Sequence, residues 1–131
     1  ADDKPGEGAA LGRRLAQEGV NLLAMSVFPI GGGKVQVDLV PEHPNDLGKA
    51  AKKLGLALGA PKIAFLIQGT DRPGAMGEVL GRLGAAGINV RSTLGVCGGG
   101  NRYGGLLWVA PGDVEAASKA LGAATMATHH V

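Results

Sequence analysis

The sequence predicts an α+β protein made of two tandem ferredoxin-like βαββαβ modules, the first of which lacks its opening strand. Two observations lead to this fold class. A block of twenty residues is written twice in the chain, and each copy is followed by a glycine cluster, a strand-like segment and a second helix-like segment. This order is typical of a split βαβ unit, whose helices cover one face of an antiparallel sheet.

The repeat is clearest between residues 3–22 (DKPGEGAALGRRLAQEGVNL) and residues 71–90 (DRPGAMGEVLGRLGAAGINV). Seven of the twenty positions are identical without a gap, including the Pro-Gly pair and the asparagine near the end of each block. The similarity resumes between Asp46–Gly55 and Asp113–Gly122. The chain is therefore one structural unit written twice.

The second copy contains every element of the unit. Lys62–Gln68 is rich in Ile, Leu and Phe and is bounded by proline and glycine, which predicts a strand. A helix follows the Pro-Gly pair, because Met76–Leu83 carries apolar residues at i, i+3, i+4 and i+7. Ile88–Cys97 alternates as a half-buried strand does. Tyr103–Ala110 predicts the next strand, and Val114–Leu121 predicts the second helix.

The first copy lacks the strand that should precede its Asp-Lys-Pro-Gly segment. Only Ala1 and Asp2 stand before that segment. We expect Leu54–Gln68 to supply both the last strand of the first copy and the first strand of the second. The predicted modules are residues 1–58, without an opening strand, and residues 59–131.

Composition narrows the function classes. Hydrophobic residues make up 45% of the 131 residues and charged residues 18%, which indicates a globular chain. The net charge of +2 is too small to indicate a nucleic-acid or membrane partner. The single cysteine excludes an internal disulfide and fits a reducing compartment. The first residues lack the basic-then-apolar pattern of a signal peptide, so we expect a cytoplasmic protein.

The repeated block also carries a family resemblance. The run from Asp71-Arg72-Pro73-Gly74 to Gly87-Ile88-Asn89-Val90, placed after an apolar strand, resembles the signature of ACT domains. The first half resembles it from Asp3 onward. The whole chain is similar to small stand-alone tandem-ACT proteins that bind amino acids. The resemblance implies modules paired side by side, with a free amino acid bound at the interface between them.

The resemblance places the ligand contacts at the loop before the first helix and at the start of the second strand. In the second copy these positions are Asp71, Pro73, Gly74, Ala75, Met76, Asn89 and Val90. In the first copy they are Pro5, Gly6, Glu7, Gly8, Asn21 and Leu22.

The chemistry of these residues suits an amino acid. Gly74 has no Cβ, so a ligand can approach the main chain, and the amides after it open a helix and favour an anion such as a carboxylate. Asn89 offers a donor and an acceptor to a zwitterion. The structural alternative is that the Pro-Gly pair only begins a helix and Asn89 caps a turn. Glu7 stands where the second copy has Ala75, so the first copy is predicted to disfavour a carboxylate.

Other motifs favour structure over chemistry. Gly31–Lys34 lacks the spacing of a phosphate loop and predicts a hairpin turn. Tyr103 and Trp108 are predicted on opposite sheet faces, which argues against an RNA-binding platform. His43 lies in a Pro-flanked loop, and His129–His130 are assigned to a solvated tail. We expect no catalytic residue, no metal and no cofactor.

The sequence therefore predicts a regulatory protein, not an enzyme, that senses a free amino acid. The alternative is a non-enzymatic subunit that docks to a metabolic enzyme through its sheet or helix surface and binds no ligand. A homodimer or larger assembly is expected, because Leu106–Val109 is apolar on both faces and the first sheet lacks a strand.

Overall fold

The computed structural model describes residues 1–122 and 125–130. They form two compact units. The first unit joins Ala1–Lys62 to the C-terminal residues from Ala127 onward, and the second unit is Ile63–Met126. The chain therefore builds most of the first unit, then the second, and returns to the first unit with its last strand.

The elements follow the predicted order. The first unit contains helix α1 (Glu7–Gln17), strand β1 (Leu22–Gly31), strand β2 (Lys34–Pro41) and helix α2 (Pro44–Leu54). After these come strand β3 (Lys62–Thr70), helix α3 (Ala75–Ala85), strand β4 (Val90–Gly99), strand β5 (Arg102–Val109), helix α4 (Val114–Leu121) and strand β6 (Thr125–His130). The predicted fold class, two tandem ferredoxin-like modules, is confirmed.

The sheet of the second unit has the order β3-β5-β4, and neighbouring strands are antiparallel. Phe65 and Thr93 are both in register with Leu107, so these three residues share one face. Phe65 and Leu107 are buried against Leu83 of α3 and Ala117 of α4. Both helices therefore cover the same face of this sheet, as the sequence predicts. Burial of a large apolar side chain of this kind contributes roughly 2 kcal/mol.

The first unit repeats this packing. Val35, Val37 and Leu39 alternate along β2 and are buried with Leu15 of α1 and Leu47 of α2. The glycine cluster before β2 turns the chain from β1 into β2 with three consecutive positive φ angles, a conformation that glycine adopts without steric cost. The hairpin predicted for this segment is confirmed.

The first three residues occupy the end of the missing opening strand. The Ala1 amino group donates to Val35 O at 3.0 Å, and Val35 N donates to Ala1 O at 2.9 Å. Asp2 pairs with Lys34 as Thr70 pairs with Arg102 at the equivalent place in the second unit. Ala1 and Asp2 thus lie at the place that the last residues of β3 hold in the second unit.

The C-terminal strand β6 pairs with β2 at the position where β3 pairs with β5 in the second unit. His129 and His130 pair antiparallel with Leu39 and Asp38 of β2. The equivalent positions of β5 pair with β3 in the second unit. The assignment of the two histidines to a solvated tail is therefore wrong: they lie in a strand, and His129 is half-buried.

The strand expected to close the first copy within Leu54–Gln68 is also absent from the described part of the chain. Residues 56–61 contain no helix or strand, and β3 begins only at Lys62. Leu56 and Leu58 pack against the core of the first unit. The alternating leucines of this segment are therefore partly buried without pairing as a strand. None of the described helices is long and apolar enough to cross a membrane.

The apolar stretch of β5 is buried on both faces. Leu107 and Val109 belong to the core under the helices, while Leu106, on the opposite face, is only 5% exposed. Trp108 is half-buried and pairs with Ser92, whereas Tyr103 pairs with Cys97 on the helix-covered face. The two aromatic residues point to opposite faces, as predicted.

Candidate ligand-binding site

The loop between β3 and α3 presents backbone amides at the start of a helix. Gly74 has φ +85°, a left-handed conformation that glycine adopts readily, and α3 begins at the next residue. No side chain caps this helix start. Ala75 N donates to Arg72 O at 3.2 Å, but no described residue accepts from the amides of Met76 and Gly77. These amides and the helix dipole favour a bound anion.

A cavity of about 380 Å³ lies beside this loop and is open to solvent on one side. Its second wall is the far end of β4 with the start of β5. The lining residues are Asp71, Arg72, Gly74, Ala75, Met76, Gly77, Gly95, Val96, Cys97 and Tyr103. The volume is within the range of about 300–1,000 Å³ that is typical of small-molecule sites.

Two glycines make room for the large side chains of the cavity. A Cβ on Gly95 would lie 3.0 Å from Met76 Cγ, so the Met76 side chain rests directly on the backbone of β4. A Cβ on Gly69 would lie 2.5 Å from Tyr103 Cε1, so the tyrosine ring rests on β3. Glycine inside a strand often marks such a close approach.

The polar side chains of the cavity are few. The Cys97 thiol donates to Asp71 Oδ2 at 3.2 Å, which leaves the other carboxylate oxygen open to a donor. The Arg72 guanidinium pairs with Glu78 in the first turn of α3. The site therefore offers free amides at one place and a carboxylate at another, which together match the two charges of a zwitterion.

The predicted site residues of the second copy separate into two groups. Asp71, Gly74, Ala75 and Met76 line the cavity, and Pro73 lies in the same loop without lining it. Asn89 and Val90 lie at the opposite end of the sheet, because the start of β4 pairs with the end of β5. The structure thus does not bring Asn89 or Val90 to this cavity within one unit.

The sequence reasoning missed the wall formed by Gly95–Cys97 and Tyr103. Since β3 ends where β5 begins and β4 ends, the loop after β3 faces these residues across the sheet. A signal was present in the sequence, because Gly95 interrupts an otherwise strand-like segment.

The first unit has a cavity at the equivalent place, but its volume is only about 90 Å³. This is well below the range of small-molecule sites. Of the predicted first-copy residues, Glu7 and Gly8 line this cavity, whereas Pro5, Gly6, Asn21 and Leu22 do not.

Asn21 and Leu22 have structural contacts instead. The Asn21 Nδ2 donates to Glu42 Oε2 at 2.9 Å, and Glu42 N donates to Asn21 O at 2.9 Å. These bonds join the start of β1 to the residue after β2. Leu22 packs against the core of the first unit.

Charged groups crowd the first cavity. Asp2 forms ion pairs with Lys34 and Lys4, and the hydrogen bond from Lys34 is the main cause that lowers the pKa of Asp2. Asp3 and Glu7 add two more carboxylates to the lining. An anionic ligand group would therefore meet like charges here.

No protein-family model matches the chain, and no curated protein matches it significantly. Among solved structures, protein BT0572 from Bacteroides thetaiotaomicron is similar, with a TM-score of 0.76 and 21% identity over 96% of this chain and 86% of that one. This likeness shows the fold alone.

Two looser matches are regulatory proteins by description. The regulatory subunit of aspartate kinase from Thermus thermophilus, in ligand-free form, has a TM-score of 0.41 and 21% identity over 54% of this chain and 52% of that one. A putative glycine cleavage system transcriptional repressor has a TM-score of 0.38 and 12% identity over 100% and 92%. At these scores neither match carries an argument. The comparisons therefore show that the chain shares its fold with BT0572 and no more.

Proposed function

We propose that this protein is a regulatory amino-acid-binding protein and that the ligand occupies the cavity between the start of α3 and the end of β4. One observation carries the proposal: a cavity of ligand size joins unpaired helix amides to a carboxylate, Asp71. The α-carboxylate of the ligand would accept from the amides of Met76 and Gly77. Its α-ammonium would donate to Asp71.

The electrostatics of this arrangement favour a zwitterion over a simple anion or cation. A negative group at a helix N-terminus gains about 0.3–1 kcal/mol from the dipole, in addition to its hydrogen bonds. A ligand without an ammonium group would place its charge near the Asp71 carboxylate without compensation. A ligand without a carboxylate would leave the helix amides unpaired.

We also propose that a second copy of the chain covers the open side of the cavity. Among the described strands, β4 pairs with β5 alone, so the other edge of β4 is available to another strand. If two β4 strands pair antiparallel about a two-fold axis, the start of one lies beside the end of the other. Asn89 and Val90 of one chain would then reach the cavity of the other chain, although they do not reach the cavity of their own unit.

The regulatory step needs no bond chemistry. A ligand that contacts both copies stabilises one arrangement of the assembly over others by the difference in its affinity for them. A metabolic enzyme that recognises one of those arrangements is the partner class that we propose, in the cytoplasm. No cofactor, metal or catalytic residue is required by this role.

A thermal-shift screen against the twenty amino acids tests the proposal. A ligand present at 100 times its Kd adds about 2.7 kcal/mol to the free energy of unfolding, which raises Tm by several degrees for a chain of this size. Amino acids methylated on the carboxylate serve as matched controls and should give no shift. If none of the twenty raises Tm, the protein is not an amino-acid sensor.

A specific observation favours one second candidate, the interaction subunit without a ligand. Leu94 and Val96 of β4 are 52% and 62% exposed, although both are large apolar residues. Exposed apolar side chains on a free strand edge are typical of a surface that another protein covers. Under this alternative the screen gives no shift, while Leu94→Lys weakens association with the partner enzyme.

A further inference from the structure

The cavity of the second unit has a neutral part and a charged part. Its charged lining residues are Asp71 and Arg72, both in the loop before α3, and Arg72 is already paired with Glu78. The opposite part is formed by Met76 and Cys97 and by the ring of Tyr103. A zwitterion whose backbone groups use the loop must therefore direct its side chain toward neutral, mostly apolar atoms.

The neutral part is built by the two residues that rest on glycines. Met76 occupies the space over Gly95, and Tyr103 occupies the space over Gly69. In the first unit the equivalents of Met76 and Gly95 are Gly8 and Val27, so the bulk lies on the strand instead of the helix. The Met76 side chain is long and flexible, and such a side chain adapts to an apolar ligand group.

On the basis of the proposed function, we infer that this site selects amino acids with an uncharged, apolar side chain and that Met76 is its specificity-determining residue. A charged side chain would lose water in this part of the cavity without gaining an opposite charge, since Asp71, the one unpaired ionic group among the described lining residues, is used by the α-ammonium. An alanine side chain would leave the contact with Met76 unmade.

A homologous ligand series gives a quantitative test. Calorimetric titration uses L-alanine, L-2-aminobutyrate, L-norvaline and L-norleucine, which differ by one methylene at each step. Each buried methylene should lower Kd about fourfold. L-Glutamate and L-lysine, of comparable length, should bind more weakly than L-norleucine.

Variants separate a side-chain subsite from a general structural effect. Met76→Ala should flatten the series while changing the affinity for L-alanine little, because only the longer ligands contact Met76. The double change Met76→Gly with Gly95→Val copies the pair that the first unit already accommodates, so it should fold and lose the dependence on chain length. Met25→Ala is the matched control, since it removes the same kind of side chain from β1 of the first unit, outside the lining of this cavity, and should leave the series unchanged.

The possible outcomes are distinct. A steep series in the unaltered protein that Met76→Ala flattens supports the inference. Tightest binding of glutamate, lysine or glycine, or a flat series, overturns the apolar selection and leaves the proposed amino-acid site in place. No measurable heat with any amino acid removes the proposed function and the inference together.

Discussion

The loops that begin α1 and α3 share a sequence signature and a backbone, yet the cavities beside them measure about 90 and 380 Å³. Gly6 and Gly74 have φ angles of +89° and +85°, and each helix begins at the next residue without a side-chain cap. The loop is thus the constant part of the two units. The difference in cavity size must come from residues outside it.

The strands explain the difference. Val27 and Val37 fill the first cavity, and the second unit has Gly95 and Gly105 at the equivalent positions. A Cβ on Gly105 would lie 3.2 Å from both Ile67 Cγ1 and Leu94 O, so the backbone there is already closely packed. The comparison teaches that the repeated Pro-Gly signature supplies the helix amides in both units, while the side chains opposite differ: valines line the first cavity, and glycines that carry Met76 and Ile67 replace them in the second unit.

The charges follow the same division. The first unit has Glu7 where the second has Ala75, and Asp2 where the second has Thr70. A carboxylate in the first turn stabilises the helix by the same dipole that a ligand carboxylate would use. The charge and packing of the first unit therefore disfavour an anionic ligand, whereas those of the second unit suit the proposed site.

The largest effect is expected for Gly74→Val. The Cβ of this valine would meet no protein atom within 4 Å and would stand at the edge of the open cavity. We expect the amino-acid Kd to rise roughly tenfold or more, which corresponds to 1.4 kcal/mol. The positive φ also costs the fold roughly 1–2 kcal/mol. Calorimetry and denaturant unfolding measure the two effects separately.

Gly6→Val is the matched control for this change. Its φ is nearly the same and its Cβ also meets nothing within 4 Å, so the cost to the fold should be similar. Amino-acid binding should be unchanged, with one ligand per chain. Equal loss of binding in the two variants, or two ligands per chain in the unaltered protein, would show that both units bind.

Much of the fold could be predicted because its signals are local. The apolar period in Met76–Leu83, the alternation along β2 and the glycine turns each depend on neighbouring residues. Strand β6 could not be predicted in this way. Its pairing partner, Leu39, is far away in the sequence, and the segment Thr125–His130 has little apolar alternation of its own.

The candidate site shows the same limit. The loop residues Asp71 and Gly74 could be chosen from the sequence because a helix start has a local signature. The opposite wall, with Cys97 and Tyr103, depends on which strand ends meet, and this is a property of the sheet register. Asn89 was selected by the resemblance, and its place in a ligand site stays a prediction that depends on a second copy.

A mixing experiment tests whether each site needs Gly74 of one chain and Asn89 of the other. Asn89→Ala and Gly74→Val should each abolish most binding when alone. In a mixed dimer, one site combines the intact Gly74 of one copy with the intact Asn89 of the other. Mixing the variants at equal amounts should therefore recover roughly one quarter of the unaltered protein's sites, because half of the dimers are mixed and each has one intact site.

The control for the mixing experiment is the double variant, Asn89→Ala with Gly74→Val in the same chain. Mixed with the unaltered protein, it should yield no intact site in the mixed dimers, since each site takes either Gly74 or Asn89 from the altered chain. Here the mixed dimer retains Gly74 of the unaltered copy but pairs it with the altered Asn89, and the reverse site lacks Gly74. A strictly monomeric mass in light scattering, with and without ligand, would contradict the shared site.

The smallest effect concerns the ion pairs that distinguish the first unit. Asp2 occupies the position of Thr70, and Lys34, followed by Lys4, lowers the pKa of its carboxyl. The same contact raises the pKa of Lys34. A lowered carboxyl pKa stabilises the fold above the unfolded value of about 3.9 and loses that effect as the pH falls through the folded value. The raised pKa of Lys34 stabilises the fold below the unfolded value of about 10.4, and this effect is lost as the pH rises through the folded value.

Asp2→Asn should therefore lower Tm slightly at pH 7 and not at pH 2, and salt should reduce the difference because the pair is exposed. Thr70→Asn is the comparison in the second unit, where Arg102 has no carboxylate opposite it in the register, and it should show no such pH dependence. A Tm difference for Asp2→Asn that persists at pH 2 would assign the effect to the backbone pairing of Asp2 with Lys34 and not to its charge.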